Sequence, residues 1–298
     1  TEEYTLRDNQ RMVIRLAIIG GSGAYDFPKK VFGRPKRSKT ISTPFGSVPL
    51  HIFENEGFTY CFLSRHGEKG YRLTAPFVNY RANIWALKEL GVERIIAWTG
   101  PGSINKKIRP GDYVIPHDLI DFTKNRPVTF YEGKGLGFIR QNPVFCPEIR
   151  DALNKVTKQS GISAHKNGVY LCTEGPRLET PAEVNFFRKI GADMVGMTLV
   201  PEVFLAKELE ICYSALCYIT NYAEGIRPLP YRKGILFEGT LPEGEIKSVS
   251  SAFKSIPSVL INALKTLNDM KRKCPCKDSM LRYRLRGDID HDWKNWIK

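Results

Sequence analysis

Apolar and polar positions change period along the chain, and the change separates strands from helices. Residues 13–19 form an apolar, β-branched run that stops at Gly20-Gly21-Ser22-Gly23, which predicts a strand followed by a tight glycine turn. Runs of the same texture predict strands at 60–64, 94–98, 112–115, 168–172 and 211–220. Between them apolar residues recur at helical spacing. A helix over 76–90 closes on Gly91, one over 148–160 on Gly161 and one over 180–190 on Gly191, and a fourth is expected at 201–209. Buried strands alternating with amphipathic helices predict one α/β domain around a largely parallel or mixed sheet.

The pattern changes after Ser248. Residues 249–267 read as one amphipathic helix, and the chain then turns basic and loses its apolar periodicity. The expected organisation is an N-terminal extension over 1–12, a domain over 13–267 and a basic tail over 268–298. Residues 271–298 hold nine Lys/Arg and four Asp, a local net charge of +5. Trp293, Trp296 and Ile297 are the residues through which this tail would pack on the body or on another subunit. No fixed-period repeat or low-complexity segment is found.

The whole chain of 298 residues carries a net charge of +14, which suits an anionic ligand without naming it. No apolar run approaches the roughly 18 residues of a membrane span, and the N-terminus is polar, so a soluble, cytoplasmic protein without a membrane partner is expected. Nucleic-acid binding is the reading that +14, Tyr283 and the two C-terminal Trp would support, but no nucleic-acid motif accompanies them. The seven cysteines (Cys61, Cys146, Cys172, Cys212, Cys217, Cys274, Cys276) are odd in number, with no CxxC and no His at zinc-ligand spacing, so no metal site is expected. Cys274-Pro275-Cys276 falls in the tail, where two exposed thiols could be free or oxidised as a strained pair.

Candidate chemistry falls at predicted strand ends, where α/β proteins place ligands. Gly20-Gly21-Ser22-Gly23 offers free amides and a hydroxyl but is neither a dinucleotide fingerprint nor a P-loop. Ser64-Arg65-His66-Gly67 places a guanidinium beside an imidazole, a pairing suited to a phosphate dianion. Thr99-Gly100-Pro101-Gly102-Ser103 is a third small-residue turn with hydroxyls. Together the three point to anion binding.

These blocks, with Thr43-Pro44-Phe45-Gly46, the segment 79–87, Pro110-Gly111-Asp112, Thr173-Glu174-Gly175-Pro176-Arg177, Met197-Thr198-Leu199-Val200-Pro201-Glu202 and Thr220-Asn221-Tyr222, resemble the purine nucleoside and methylthioadenosine phosphorylase family over residues 13–265. By these blocks the methylthioadenosine branch is the nearer. The resemblance implies a single α/β domain with a mixed, partly barrel-like central sheet flanked by helices. It also implies phosphorolysis, in which inorganic phosphate attacks C1′ of a purine nucleoside. On the family's pattern Ser22, Arg65, His66, Thr99, Gly100 and Thr198 hold phosphate and Met197 packs under the ribose. No metal or further cofactor is implied, because positioning and charge stabilisation carry the reaction.

The departures from the methylthioadenosine pattern concern the base. That branch places Ser after EGPRF and two Asp in TDYD, where this chain has Leu178-Glu179 and Asn221-Tyr222-Ala223. Glu179 would accept from N1–H of hypoxanthine or guanine and would oppose the N1 lone pair of adenine. Asn221 would donate to O6 or accept from N7–H of the departing base, whichever way its amide lies. The resemblance therefore implies a 6-oxopurine enzyme acting on inosine, guanosine or methylthioinosine, with methylthioadenosine phosphorolysis and a catalytically silent nucleoside-binding protein as alternatives. Glu179 also reads as a helix N-terminal acid, and Asn221 as a residue ending a strand.

The resemblance further implies that Phe138 reaches the ribose of a neighbouring subunit, in a homo-oligomer that is a trimer or a dimer of trimers. The 5′ pocket is expected near 226–237 and the C-terminal helix. His51, His117, His165 and His291 are expected to be structural or surface residues. Relatives from heat-loving organisms sometimes carry disulfides, which implies a bridge from Cys146 to Cys217 or Cys212.

Overall fold

The computed structural model describes residues 14–27, 29–228, 233–236 and 240–297. The expected extension over 1–12 and part of the 226–237 segment lie outside the described residues. Strands β1 (Leu16–Gly20), β2 (Arg34–Thr43), β3 (Gly46–Asn55) and β4 (Phe58–Ser64) come first, followed by β5 (Arg94–Thr99) and β6 (Gly102–Ser103). Short strands β7 (Tyr113–Val114), β8 (Asp118–Phe122) and β9 (Ala164–His165) lead to β10 (Val169–Thr173), β11 (Met194–Gly196), β12 (Cys212–Tyr218) and β13 (Asn221–Tyr222).

Two sheets result. The larger runs β2-β3-β4-β1-β5-β12-β7-β9 and the smaller β13-β6-β11-β10-β8. In the larger, β4, β1, β5 and β12 are parallel, and every residue of β1, β5 and β12 is buried. Burial on both faces explains why these strands read as continuous apolar runs. The β2–β3 hairpin was absent from the expectation because β2 is exposed along most of its length and polar in sequence. Its pairing is antiparallel, as the expected mixed sheet allows.

The helices lie against these sheets. Helix α1 (Tyr80–Glu89) begins later than its predicted start because Pro76 sits in a 3-10 turn, Ala75–Phe77, and the Asn79 side chain then caps the helix by accepting from the Ala82 amide at 3.1 Å. Helices α2 (Pro147–Gln159), α3 (Pro181–Lys189) and α4 (Glu202–Glu208) match the pattern within a residue or two. Helix α5 (Glu243–Asn268) starts six residues before its predicted start, because its first turns are polar and carry no apolar stripe.

The tail is more ordered than its composition suggests. It forms α6 (Leu281–Arg286) and α7 (Trp293–Trp296) and packs on the body of its own chain. Trp293 meets Trp85 edge-on at 4.6 Å between ring centroids, Trp296 and Met280 are buried, and Arg284 binds both oxygens of Glu210 at 2.9 and 2.8 Å. The expectation that Cys274 and Cys276 are exposed is incorrect, since both are buried. All seven cysteines are free thiols. Cys146 and Cys212 do meet, in a group of four with Cys274 and Cys276, whereas Cys217 stands outside it, which overturns a Cys146–Cys217 bridge.

Candidate active site

The chain passes from the large sheet to the small one four times, and two of these crossings, β5 to β6 and β12 to β13, are neighbours. Strand β5 ends at Thr99 and the chain re-enters pairing as β6 after Gly100-Pro101, while β12 ends at Tyr218 and re-enters as β13 after Ile219-Thr220. The β13–β6 pairing sets Asn221 opposite Gly102, and the Thr220 amide donates to the Pro101 carbonyl at 3.2 Å. Register does the rest: Gly20 pairs with Ser64 and Ile19 with Ala97, so the loops after β1, β4 and β5 leave the sheet at one edge.

A cavity at this junction is lined by Ser22, His66, Tyr71, Thr99, Gly100, Gly102, Leu178, Glu179, Val195, Gly196, Met197, Thr198, Asn221, Ala223 and Glu224. Eight of the residues named from sequence are here: Ser22, His66, Thr99, Gly100, Glu179, Met197, Thr198 and Asn221. Their approach requires glycine at two points. A Cβ on Gly21 would lie 2.4 Å from the Trp98 carbonyl oxygen, and one on Gly100 would lie 2.7 Å from Thr220 Cγ2. The Thr198 hydroxyl donates to that of Thr99 at 3.2 Å, joining the two sheets across the cavity floor.

His66 is neutral here. Burial first, and the adjacent Arg65 charge second, push its pKa down to about 4. Its Nδ1 lies 2.7 Å from the Leu73 carbonyl, which can only accept, so Nδ1 carries the proton and Nε2 keeps a lone pair. The ring stacks on Tyr71 at 4.3 Å, and both Tyr71 and Ser22 line the cavity.

Arg65 does not line the cavity. It is buried behind the wall, with Nε 2.8 Å from Glu202 Oε1, Nη2 2.7 Å from Glu202 Oε2 and Nη1 donating to the Trp98 carbonyl at 3.2 Å. The Tyr213 hydroxyl donates to the same carboxylate at 2.5 Å. Of the expected Arg-His pair, the guanidinium is thus paired with a carboxylate and the imidazole beside it is neutral.

Glu179 and Asn221 are both held by threonine hydroxyls. Thr173 donates to Glu179 Oε1 at 2.6 Å. The helix-cap reading of Glu179 does not describe its contacts, because α3 is capped by Thr180 and Glu183 in a reciprocal capping box, with Arg177 paired to Glu183. Asn221 Nδ2 donates to the Tyr222 carbonyl at 2.8 Å, and Thr220 donates to Oδ1 at 2.6 Å. Since a carbonyl cannot donate, the Tyr222 contact fixes which end of the amide is nitrogen. One N–H and one lone pair of Asn221 remain.

Arg126, Tyr71 and Glu224 were missed. Arg126 is buried and its guanidinium reaches the Met197 and Val200 carbonyls at 2.6 Å each, Thr173 O at 3.1 Å and Glu174 O at 2.5 Å. It thus clamps the Met197 turn to the loop that carries Glu179. A lone Arg in Asn125-Arg126-Pro127 gives no local signal of this role. Glu224 could have been noticed, since it follows Ala223 by one residue.

Phe138 lies away from this cavity. It is 84% exposed in a groove with Val128, Phe204 and Glu208, and its amide donates to Tyr283 Oη at 2.8 Å. Burial raises Glu208 to about 7. His51 contacts Ser38 and Glu68, His165 contacts Asp112, and His117 contacts Gly168, all outside the cavity. Among the described residues no helix is long and apolar enough to cross a membrane.

Residues 15–237 match the phosphorylase superfamily, and the chain belongs to that family. Among particular relatives, it is 42% identical over 275 residues to the 6-oxopurine nucleoside phosphorylase of Pyrococcus furiosus, covering 89% of this chain and 97% of that one. It is 41% identical over 268 residues to a probable S-methyl-5′-thioinosine phosphorylase of Methanothermobacter thermautotrophicus, covering 89% of this chain and 88% of that one. A crystal structure of methylthioadenosine phosphorylase from an antarctic soil metagenomic library superposes with a TM-score of 0.79 at 32% identity, covering 90% of this chain and 91% of that chain.

Proposed function

We propose that this chain catalyses phosphorolysis of 6-oxopurine nucleosides. An oxygen of inorganic phosphate forms a bond to C1′ as the C1′–N9 bond breaks. The base departs with that electron pair and is released protonated, leaving a ribose 1-phosphate derivative. The single observation carrying this reading is that Glu179 and Asn221 share one cavity with the hydroxyls of Ser22, Thr99 and Thr198.

The two ends of the cavity divide the work. Hydroxyls of Ser22, Thr99 and Thr198 and the backbone at Gly100 would receive phosphate. His66 Nε2, as an acceptor, suits a protonated phosphate oxygen or a sugar hydroxyl. Arg65 acts by positioning: its bond to Trp98 O holds the strand end that carries Thr99. At the other end the remaining N–H of Asn221 meets O6, its remaining lone pair accepts N7–H as negative charge moves onto the base, and Glu179 accepts N1–H. Adenine inverts the N1 and C6 pattern and leaves both groups mismatched. Met197 forms the wall between the two ends.

We further propose a homo-oligomer in the cytoplasm, in which the exposed Phe138 covers a neighbour's ribose. Phosphate is then the co-substrate, and no other cofactor enters the scheme. The relatives named 6-oxopurine nucleoside phosphorylase and probable S-methyl-5′-thioinosine phosphorylase are 42% and 41% identical to this chain, so both 5′ groups belong in the assay. Base release from inosine, guanosine, methylthioinosine, adenosine and methylthioadenosine, each with and without phosphate, tests the proposal. Phosphate-dependent release confined to the three 6-oxopurines is expected. Preference for methylthioadenosine, the second reading favoured by the structural neighbour, would overturn the base assignment, and binding without turnover would overturn the reaction.

A further inference from the structure

Four cysteines from three separated segments converge where β12 begins, at the opposite end of that strand from the crossing that leads to Asn221. Cys146 is the N-cap of α2, Cys212 opens β12, and Cys274 and Cys276 flank Pro275 in the turn that starts the tail. Their sulfurs all lie within 4.8 Å of one another, with Cys212 and Cys274 3.3 Å apart, and all four residues are buried. Along the chain these residues are 66, 62 and 2 positions apart, a spacing with no metal-ligand signature. Convergence in space replaces the expectation of no metal site.

We infer that Cys146, Cys212, Cys274 and Cys276 form a structural site for one tetrahedral soft divalent cation, Zn2+, which fastens the tail to the body. Zinc–sulfur bonds of about 2.3 Å at tetrahedral angles put sulfurs about 3.8 Å apart, within the span seen here. Four thiolate ligands leave no open coordination position, the arrangement of a structural and not a catalytic zinc. Binding replaces the four thiol protons: Zn2+ and four Cys–SH give a tetrathiolate of charge −2 and four protons.

A charge of −2 in a buried place requires compensation, and two cations are in position. Arg272 lies beside Cys212 and Cys274, and its Nε is buried without a hydrogen-bond partner. Lys207, itself buried, lies beside Cys276 and Cys146. An orphaned N–H next to a thiol becomes a satisfied donor when that thiol becomes a metal-bound thiolate. The backbone is also arranged in advance. Glu148 Oε1 accepts from the Lys273 and Cys274 amides at 2.6 and 2.8 Å, and the Cys146 amide donates to Tyr213 O at 2.8 Å, which holds the three segments together.

The test uses the full chain purified under reductant without chelator. Elemental analysis is expected to find about one zinc per chain, and Co2+ taken up by the reduced, metal-stripped protein is expected to give intense thiolate-to-cobalt charge-transfer bands with a tetrahedral ligand-field envelope. Cys276→Ser should lose the retained metal, whereas Cys61→Ala, outside the cluster, should keep it. Chelation should lower the melting midpoint and open the Lys/Arg-rich tail to trypsin. Reduced wild-type protein that takes up no Co2+ would overturn the inference, whether differential alkylation then finds two disulfides or four free thiols. Because that measurement needs no variant, a misfolded Cys276→Ser leaves it decisive, and it is independent of which nucleoside the enzyme accepts.

Discussion

Arg65 and Glu202 are 137 positions apart in sequence and form a bidentate ion pair with both side chains wholly buried, at 2.8 and 2.7 Å. The pair joins the loop after β4 to the start of α4, and a third contact from Nη1 to Trp98 O reaches β5. Burial disfavours the charge, but the Glu202 carboxylate more than offsets it and keeps the guanidinium protonated. The basic residue beside His66 is thus committed to holding together the loop after β4, the end of β5 and the start of α4.

Glu202→Gln should destabilise the fold by about 3–5 kcal/mol, because it leaves a buried guanidinium without its counter-ion. Replacing both members, Arg65→Met with Glu202→Met, should recover much of that loss. Denaturant midpoints of the single and double variants check it. A double variant less stable than the single would mean the pair itself is strongly stabilising.

Asn221→Asp should lower kcat/KM for inosine and guanosine by roughly 10²–10³, the effect of removing one preorganised donor at a site of developing charge. Some activity toward adenosine-type nucleosides should appear, because a carboxylate accepts from the 6-amino group. Steady-state comparison of the five nucleosides reads the switch, and unchanged selectivity would exclude Asn221 from base recognition.

Glu179 and Thr180 are adjacent in sequence yet have separate tasks, and paired substitutions should separate them. Thr180→Ala removes the N-cap of α3 and should cost about 1 kcal/mol in stability with base selectivity intact. Glu179→Gln should leave stability nearly unchanged and reduce kcat/KM about 10- to 100-fold, the worth of one charged hydrogen bond. Guanosine, which offers a second donor at its 2-amino group, should suffer more than inosine.

The parts legible in sequence were those where burial was total or where small residues were required. Strands β1, β5 and β12 are buried on both faces and announce themselves as apolar runs. Gly21 and Gly100 had to be glycine for the turns to close. Strand β2 was obscured because it is exposed and polar, and the tail because its partners are distant in sequence: Trp293 needs Trp85, and Arg284 needs Glu210. The same reason hides Arg126, whose carbonyl partners lie 47 to 74 positions away, and the four cysteines. Arg65 stood out in the sequence, but its pairing with Glu202 did not, since the two are 137 positions apart.

The neutrality of His66 has a consequence for pH. Its pKa in the folded protein is about 4, against an ordinary value of 6.5. As pH falls below 6.5 the unfolded chain takes up the proton first and the folded chain resists it. The stability associated with the neutral imidazole is therefore complete above pH 6.5 and is lost progressively between 6.5 and 4. His66→Asn, which cannot titrate and whose side-chain N–H can still donate to Leu73 O, should flatten the stability profile across that window, as read from denaturant midpoints at pH 7, 5.5 and 4. Nitrogen chemical shifts of the wild-type imidazole should report a neutral ring protonated at Nδ1 throughout pH 5–8. A cationic signal at pH 6 would instead make His66 a charged phosphate ligand and return the anion site to an electrostatic one.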